Sequence, residues 1–290
     1  MKRRLSNLLA TVAGALLATP ASAEIIWSDE FDYGFVPDAG NWSYDLGDNG
    51  WGNLELQDYT RSPDNVRIEN GSLVITAREI AGGESKRRFT SGRIRTQDKV
   101  TFRYGTVEAR IRVPNLADGL WPAFWTLGNN FGEVGWPACG EIDIMEMGNS
   151  DSIASDVINR RVGSAAHWLN GESWANFALF LDAPADLDDG FHIFRLDWTP
   201  ESISTYLDGQ KVWSLDIRGD NCSGCSELHQ PHFLILNLAV GGRYTGLLSE
   251  NQITAALPAE MQVDYVRIID NGHTELGGAA VTGGLSAADQ

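Results

Sequence analysis

Asn65-Val-Arg-Ile-Glu-Asn70-Gly71-Ser-Leu-Val-Ile-Thr-Ala-Arg78 is the stretch that decides the fold class. Two extended runs, 65–69 and 72–78, meet at Asn70-Gly71. Those two residue types accept the positive φ that a tight hairpin turn demands. The same grammar returns downstream, where 202–207 and 210–215 meet at Asp208-Gly209. Working outward, further strands are expected at 89–96, 105–113, 123–127, 140–147, 163–168, 191–198, 232–240 and 261–269. Residues 106–113 alternate in character, as a strand with unlike faces should. No long segment carries a helical period. Many short strands with frequent Gly turns imply an all-β sandwich or barrel. No linker precedes residue 270 and no internal repeat is visible. The segment 271–290 is rich in Gly and Ala and is expected to be a flexible tail.

Of 290 residues, 43% are hydrophobic and 21% charged, the balance of a globular chain. The formal net charge is −17. So acidic a chain repels phosphate backbones and anionic lipid, which argues against nucleic-acid and membrane partners. Residues 1–23 read as a cleavable export signal: basic Lys2, Arg3 and Arg4, an apolar core over 8–18, then Ala21-Ser22-Ala23. That core is too short to span a bilayer, which needs about 20 residues. Cleavage after Ala23 removes three positive charges and deepens −17 to −20. The mature chain, with 24–270 as its one folded domain, is then expected outside the cytoplasm, in the periplasm or the medium. Three Cys are too few for a disulfide scaffold. Cys222 and Cys225 flank a loop-like Ser-Gly, where either a small disulfide or free thiols would fit. His229 and His232 follow them, but the spacing matches no standard zinc pattern. Cys139 reads as a buried thiol.

The chemistry concentrates in Gly140-Glu141-Ile142-Asp143-Ile144-Met145-Glu146-Met147-Gly148. Alternation puts Glu141 and Asp143 on one strand face and Ile142 and Ile144 on the other. Glu146 would point the wrong way unless one residue near Ile144 or Met145 bulges out of register. With that bulge all three acids share a surface. Two Glu side chains leaning inward would then approach the ~5–5.5 Å carboxyl separation of a retaining glycosidase. Three acids so close repel, so at least one pKa must rise. A solvated acidic face would leave the apolar remainder of the strand unexplained. Calcium prefers ligands clustered on a loop.

The run Glu141-Ile-Asp143-Ile-Met-Glu146 resembles the bulged signature of glycoside hydrolase family 16. The surrounding text is similar to its bacterial laminarinases, which are endo-β-1,3-glucanases. The resemblance rests on Trp51-Gly-Asn53-Leu-Glu55-Leu-Gln57, Ser91-Gly-Arg93-Ile-Arg-Thr96, Tyr104-Gly-Thr-Val-Glu-Ala-Arg110 and Trp121-Pro-Ala-Phe-Trp125. It continues through His167-Trp168, Asn237-Leu-Ala-Val-Gly-Gly242 and Val263-Asp264-Tyr-Val-Arg267. This ordered set spans about residues 27 to 269. The fold it implies is a jelly-roll sandwich of two curved antiparallel sheets, as in concanavalin-like lectins.

The resemblance implies Glu141 as nucleophile, Glu146 as general acid/base and Asp143 as the helper that tunes Glu141. Trp121 and Trp136 are implied as aromatic walls beside the cleaved bond, with Trp125 on the same face. Asn53, Arg93, His167 and Asn237 are implied as hydroxyl binders. Catalysis would need no cofactor. A structural calcium is implied at the Glu30 and Gly71 carbonyls and the Asp264 side chain. The expected partner is a β-glucan polysaccharide, with the chain acting as a monomer. Within the family the rivals are mixed-linkage β-1,3-1,4-glucanase, agarase and carrageenase, and a net acidic chain suits a sulfated galactan poorly. A non-catalytic glucan-binding protein would lack the acids that are present here.

Overall fold

The computed structural model describes residues 24–80, 87–219, 222 and 224–279. Two sheets face each other. The larger runs, neighbour to neighbour, through Gln210–Asp216, Ser202–Leu207, His192–Trp198, Gly105–Arg112, Ala259–Ile269, Ser72–Glu79, Phe89–Ser91 and Gln57–Tyr59, with Ile25–Asp29 and Val66–Glu69 added at its flank. The second runs through Ser173–Asp182, Arg161–Asn170, Glu141–Glu146, Leu120–Gly128, His232–Val240, Arg93–Arg95 and Ser43–Tyr44, with Thr101–Arg103 and Glu275–Gly277 alongside. All pairings are antiparallel except that of Gln57–Tyr59 with Phe89–Ser91. The all-β jelly-roll sandwich expected from the sequence is the observed architecture. Helix among the described residues is confined to short turns such as Phe131–Val134 and Ser150–Ala154.

Alternation places the core between the sheets. Val107, Ala109 and Ile111 of one sheet share a cluster with Phe124, Ile142, Leu234, Leu236 and Leu238 of the other, all without solvent exposure. The His232–Val240 strand is buried at every position. Its alternate residues Phe233 and Ile235 join Leu127 and Cys139 in a second, smaller cluster. Asn237 and Ala239 therefore lie on the face opposite the core, beneath the groove described below.

Three expectations change and one open alternative is resolved. Residues 89–96 are two strands in different sheets. Gly92 is the crossing point, and a Cβ there would sit 2.3 Å from Val66 Cγ2, so the chain crosses where only glycine fits. Ser173–Asp182 is an additional strand, paired along its length with Arg161–Asn170 across the turn at Gly171. The segment 271–290 is not wholly a loose tail: Glu275–Gly277 pairs with Thr101–Arg103, and Arg103 forms an ion pair with Glu275. Residues 280–290, like the expected export signal 1–23, lie outside the described residues. Cys222 and Cys225 are joined as a disulfide. His229 and His232 commit both ring nitrogens to protein partners, which removes the zinc reading.

Candidate active site

The Glu141–Glu146 strand contains the bulge its chemistry requires. Against Leu120–Gly128 the register runs Ala123↔Glu146 and Phe124↔Met145, then jumps to Trp125↔Asp143 and Leu127↔Glu141. Against Arg161–Asn170 it runs Glu141↔His167 and Asp143↔Ala165, then Glu146↔Gly163. Ile144 is the extra residue. Ile142, Ile144, Met145 and Met147 fill the core with at most 1% exposure. The inserted residue turns Glu146 onto the face of Glu141 and Asp143.

Those acids sit where two lobes of a cleft meet. One lobe, about 510 Å³, is lined by Trp51, Glu55, Arg93 and Trp125. The other, about 390 Å³, is lined by His167, Trp174, Phe180 and Tyr244. Both lobes share Asn53, Trp121, Trp136 and the three acids. A chain entering one lobe must pass the acids to reach the other.

Burial sets the electrostatics. It pushes Glu141 well above the ordinary carboxylate range, and the charge of Asp143 pushes it further. The charge of a doubly protonated His167 would pull the other way, and a hydrogen bond from Trp136 does so. Asp143, 2% exposed, is raised by burial, while its hydrogen bond with Glu141 works against that rise. A hydrogen bond between two carboxyls requires one of them to carry a proton. Glu146 is raised well above its ordinary value by burial and then by both other acids. Trp121 Nε1 donates to Glu146 Oε1 at 2.9 Å and lowers it partly. Burial and mutual charge thus push all three carboxyls toward the protonated form, and the hydrogen bonds at Glu141, Asp143 and Glu146 oppose that push to different extents.

His167 Nε2 lies 3.0 Å from Asp143 Oδ2 and 3.8 Å from Glu141 Oε1. Glu141, Asp143 and His167 would suit a metal by proximity alone. Yet His167 Nδ1 accepts from Trp174 Nε1 at 3.1 Å. The neutral ring therefore carries its proton on Nε2 and donates it to Asp143, which makes the group a proton network.

The other implied binders separate into two kinds. Asn53 and Trp136 line both lobes, and Trp136 is 46% exposed, free to meet a sugar face. Trp121 is 7% exposed and stacks on Tyr244 at 4.8 Å, so it holds Glu146 more than it forms a wall. Arg93 lies between the rings of Trp51 and Trp125, 4.8 Å from each, and bonds Asp45 at 2.8 Å. Asn237 accepts from Trp125 Nε1 at 2.7 Å and donates to the Tyr59 hydroxyl at 3.3 Å. These two bonds fix Trp125 in the groove, and Asn237 itself lines the same lobe. Tyr59 in turn donates to buried Glu55 at 3.0 Å. Trp51, Glu55, Tyr244 and Trp174 were not among the residues singled out as binders. Trp51 and Glu55 lie inside the 51–57 motif, and Trp174 follows the Asn170-Gly171 turn signal.

The implied calcium residues converge elsewhere, on the other sheet. Along Ala259–Ile269, Asp29 pairs with Val266 and Leu73 with Val263. Glu30 and Gly71 thus follow and precede strand ends that meet at Asp264, beside a register shift between Val263 and Tyr265. Asp264 Oδ2 accepts from Arg110 at 2.7 Å, and the Glu30 carboxylate is held by Arg267. One shared carboxylate and two carbonyls are a hard oxygen set of the type calcium takes.

Residues 53–266 match the model of the family described as glycosyl hydrolases family 16. The chain is 36% identical to a beta-glucanase of Rhodothermus marinus over 283 residues, covering 92% of this chain and 94% of that protein. Among solved structures, the laminarinase catalytic domain of Thermotoga maritima superposes with a TM-score of 0.71 at 37% identity, covering 86% of this chain and 98% of that one. A Bacteroides ovatus mixed-linkage glucan enzyme of the same family, in complex with a G4G4G3G product, superposes with a TM-score of 0.74 at 31% identity, covering 84% and 100%. On the strength of the bulged acidic strand and these matches together, the chain belongs to glycoside hydrolase family 16.

Proposed function

We propose that this enzyme is a retaining endo-β-1,3-glucanase that acts on laminarin-type glucan. The observation that carries the proposal is the position of Glu141, Asp143 and Glu146 at the junction of two open lobes. A site open at both ends accepts the interior of a polymer. Glu141 attacks the anomeric carbon, and the glycosidic bond breaks with its electron pair going to the leaving oxygen. That oxygen takes the proton of Glu146. In the second step water attacks the same carbon, gives its proton to Glu146 and releases Glu141, so the β configuration is kept. Asp143 shares a proton with Glu141 and takes a hydrogen bond from His167, which steadies the nucleophile's charge as it forms and leaves.

Mixed-linkage glucan is the second reading, favoured by the likeness to the Bacteroides ovatus enzyme. Sulfated galactans suit a chain of net charge −17 poorly. The proposal extends to export through residues 1–23 and to one calcium at Glu30, Gly71 and Asp264, which would stabilise the fold without touching the cleft. The deciding experiment is a parallel reducing-sugar assay on laminarin, mixed-linkage glucan, agarose and κ-carrageenan. Laminarin should be cleaved fastest and mixed-linkage glucan second. Agarose cleavage without laminarin cleavage would overturn the substrate assignment.

A further inference from the structure

We propose that Trp174 is a positioning residue of the reaction, which acts by fixing the proton of His167 on the nitrogen that faces Asp143. The inference rests on the roles given above to Glu141 and Asp143. Register explains how an edge residue reaches the site. His167 lies opposite Glu141 on one side and Asn176 on the other, while Leu169 lies opposite Trp174. Trp174 is thus the diagonal neighbour of His167 across the hairpin, a spacing that a large aromatic side chain can bridge. The ring centroids lie 5.7 Å apart and the two planes are inclined by 20° to each other. The indole Nε1–H donates to imidazole Nδ1 at 3.1 Å.

An indole N–H only donates, so the nitrogen it meets must be an acceptor. His167 Nδ1 is then without a proton, and Nε2 must carry one. Nε2 is the nitrogen 3.0 Å from Asp143 and 3.8 Å from Glu141. The arrangement also opposes the doubly protonated ring, which would set N–H against N–H at Trp174. The charged groups that face His167 are Glu141, Asp143 and Glu146, all on the acidic strand, and they would otherwise draw a second proton onto it. Trp174 therefore keeps His167 a neutral one-way donor, so the proton shared by Asp143 and Glu141 is not diverted to the ring. Trp136 closes the group, 6.1 Å from His167 and 5.5 Å from Trp174. Trp174 is 55% exposed, so its exchange leaves the core untouched.

The test is Trp174→Phe, which keeps a flat ring and deletes the N–H. The chain has 5 His, so ¹⁵N-histidine NMR resolves the tautomer of each ring, with His167→Gln supplying the assignment. In the unaltered enzyme His167 should show Nδ1 bare and Nε2 protonated. In Trp174→Phe it should become a mixture of tautomers or gain the second proton near neutral pH. On laminarin kcat should fall roughly fivefold to tenfold, the worth of one hydrogen bond, with KM within about twofold. An unchanged tautomer in the variant overturns the proposal. So does a rise in KM with kcat intact, which would make Trp174 a sugar platform. The tautomer is read without substrate, so an enzyme inactive on laminarin would sink the substrate assignment and leave this test standing.

Discussion

Trp121 Nε1 lies 2.9 Å from Glu146 Oε1, and the same indole stacks on Tyr244 with its ring plane tilted only 18° from the phenol. The stack leaves Trp121 little freedom to swing away from the carboxyl. Burial and the two neighbouring acids raise Glu146; the charge of a protonated His167 would oppose the rise, and this hydrogen bond opposes it as well. Trp121→Phe should keep the stack and lose the restraint. Glu146 must be protonated to act as the acid, so a higher pKa moves the alkaline limb of the kcat/KM profile to higher pH. The rate at the optimum should fall about tenfold, as expected for a lost hydrogen bond to a carboxyl. An alkaline limb that stays in place or moves down would mean that Trp121 does not tune Glu146.

The crowding of the acids also bears on stability. The folded enzyme keeps a proton on Glu146 over a pH range where the unfolded chain, with an ordinary Glu value near 4.5, has released it. The native state therefore binds more protons than the unfolded state in that range, and stability falls as pH rises through it. Glu146→Gln cannot ionise and escapes this cost. It should melt roughly 2–4 °C higher than the parent at pH 7, the response of a domain this size to about 1 kcal/mol. The gain should fade toward pH 4, where both states of the parent hold the proton. Equal gains at the two pH values in calorimetric scans would assign the effect to packing.

The parts of the site that were legible in sequence are those where a local rule admits one solution. Glu141, Asp143 and Glu146 can share a face only if the strand bulges, and Ile144 is the residue set out of register. Long-range choices were hidden. Gly92 reads as an interior strand glycine, yet it is where the chain changes sheets, because Val66 of a distant hairpin closes on it. Asn237 reads as a hydroxyl binder by its place in a motif. Which partner a buried amide takes depends on neighbours far along the chain, here Trp125 and Tyr59. Ser173–Asp182 escaped because exposure at most of its positions blurs the alternation that marks a strand.

The proposed calcium site makes its own forecast. Asp264→Ala should abolish any rise in melting temperature that calcium gives the parent, and leave kcat nearly unchanged at 25 °C. An ion bound only by the folded state contributes about 2.7 kcal/mol at a hundred times its Kd. The variant also frees Arg110, but that pair is more than one-third exposed on both sides and its loss should cost little. A parent that melts at the same temperature in calcium and in chelator would rule the site out.

The roles of Glu141 and Glu146 can be separated by their products. Glu141→Ala lacks the nucleophile, so no glycosyl-enzyme forms. Glu146→Ala keeps the nucleophile and loses the proton donor and the base. An activated aryl glucoside needs little help in leaving, so Glu146→Ala should still be glycosylated at Glu141. It should then stall, because general-base help worth roughly 10²–10⁴ is missing from the water step. Azide needs no base. It should restore turnover in Glu146→Ala and yield the β-glycosyl azide, since two inversions retain configuration. In Glu141→Ala azide enters the space the carboxylate has left, inverts once and yields the α-azide. Proton NMR of the anomeric centre distinguishes the two products. An α-azide from Glu146→Ala would show that the two glutamates have exchanged roles, and full activity on laminarin in either variant would take the acidic strand out of the mechanism.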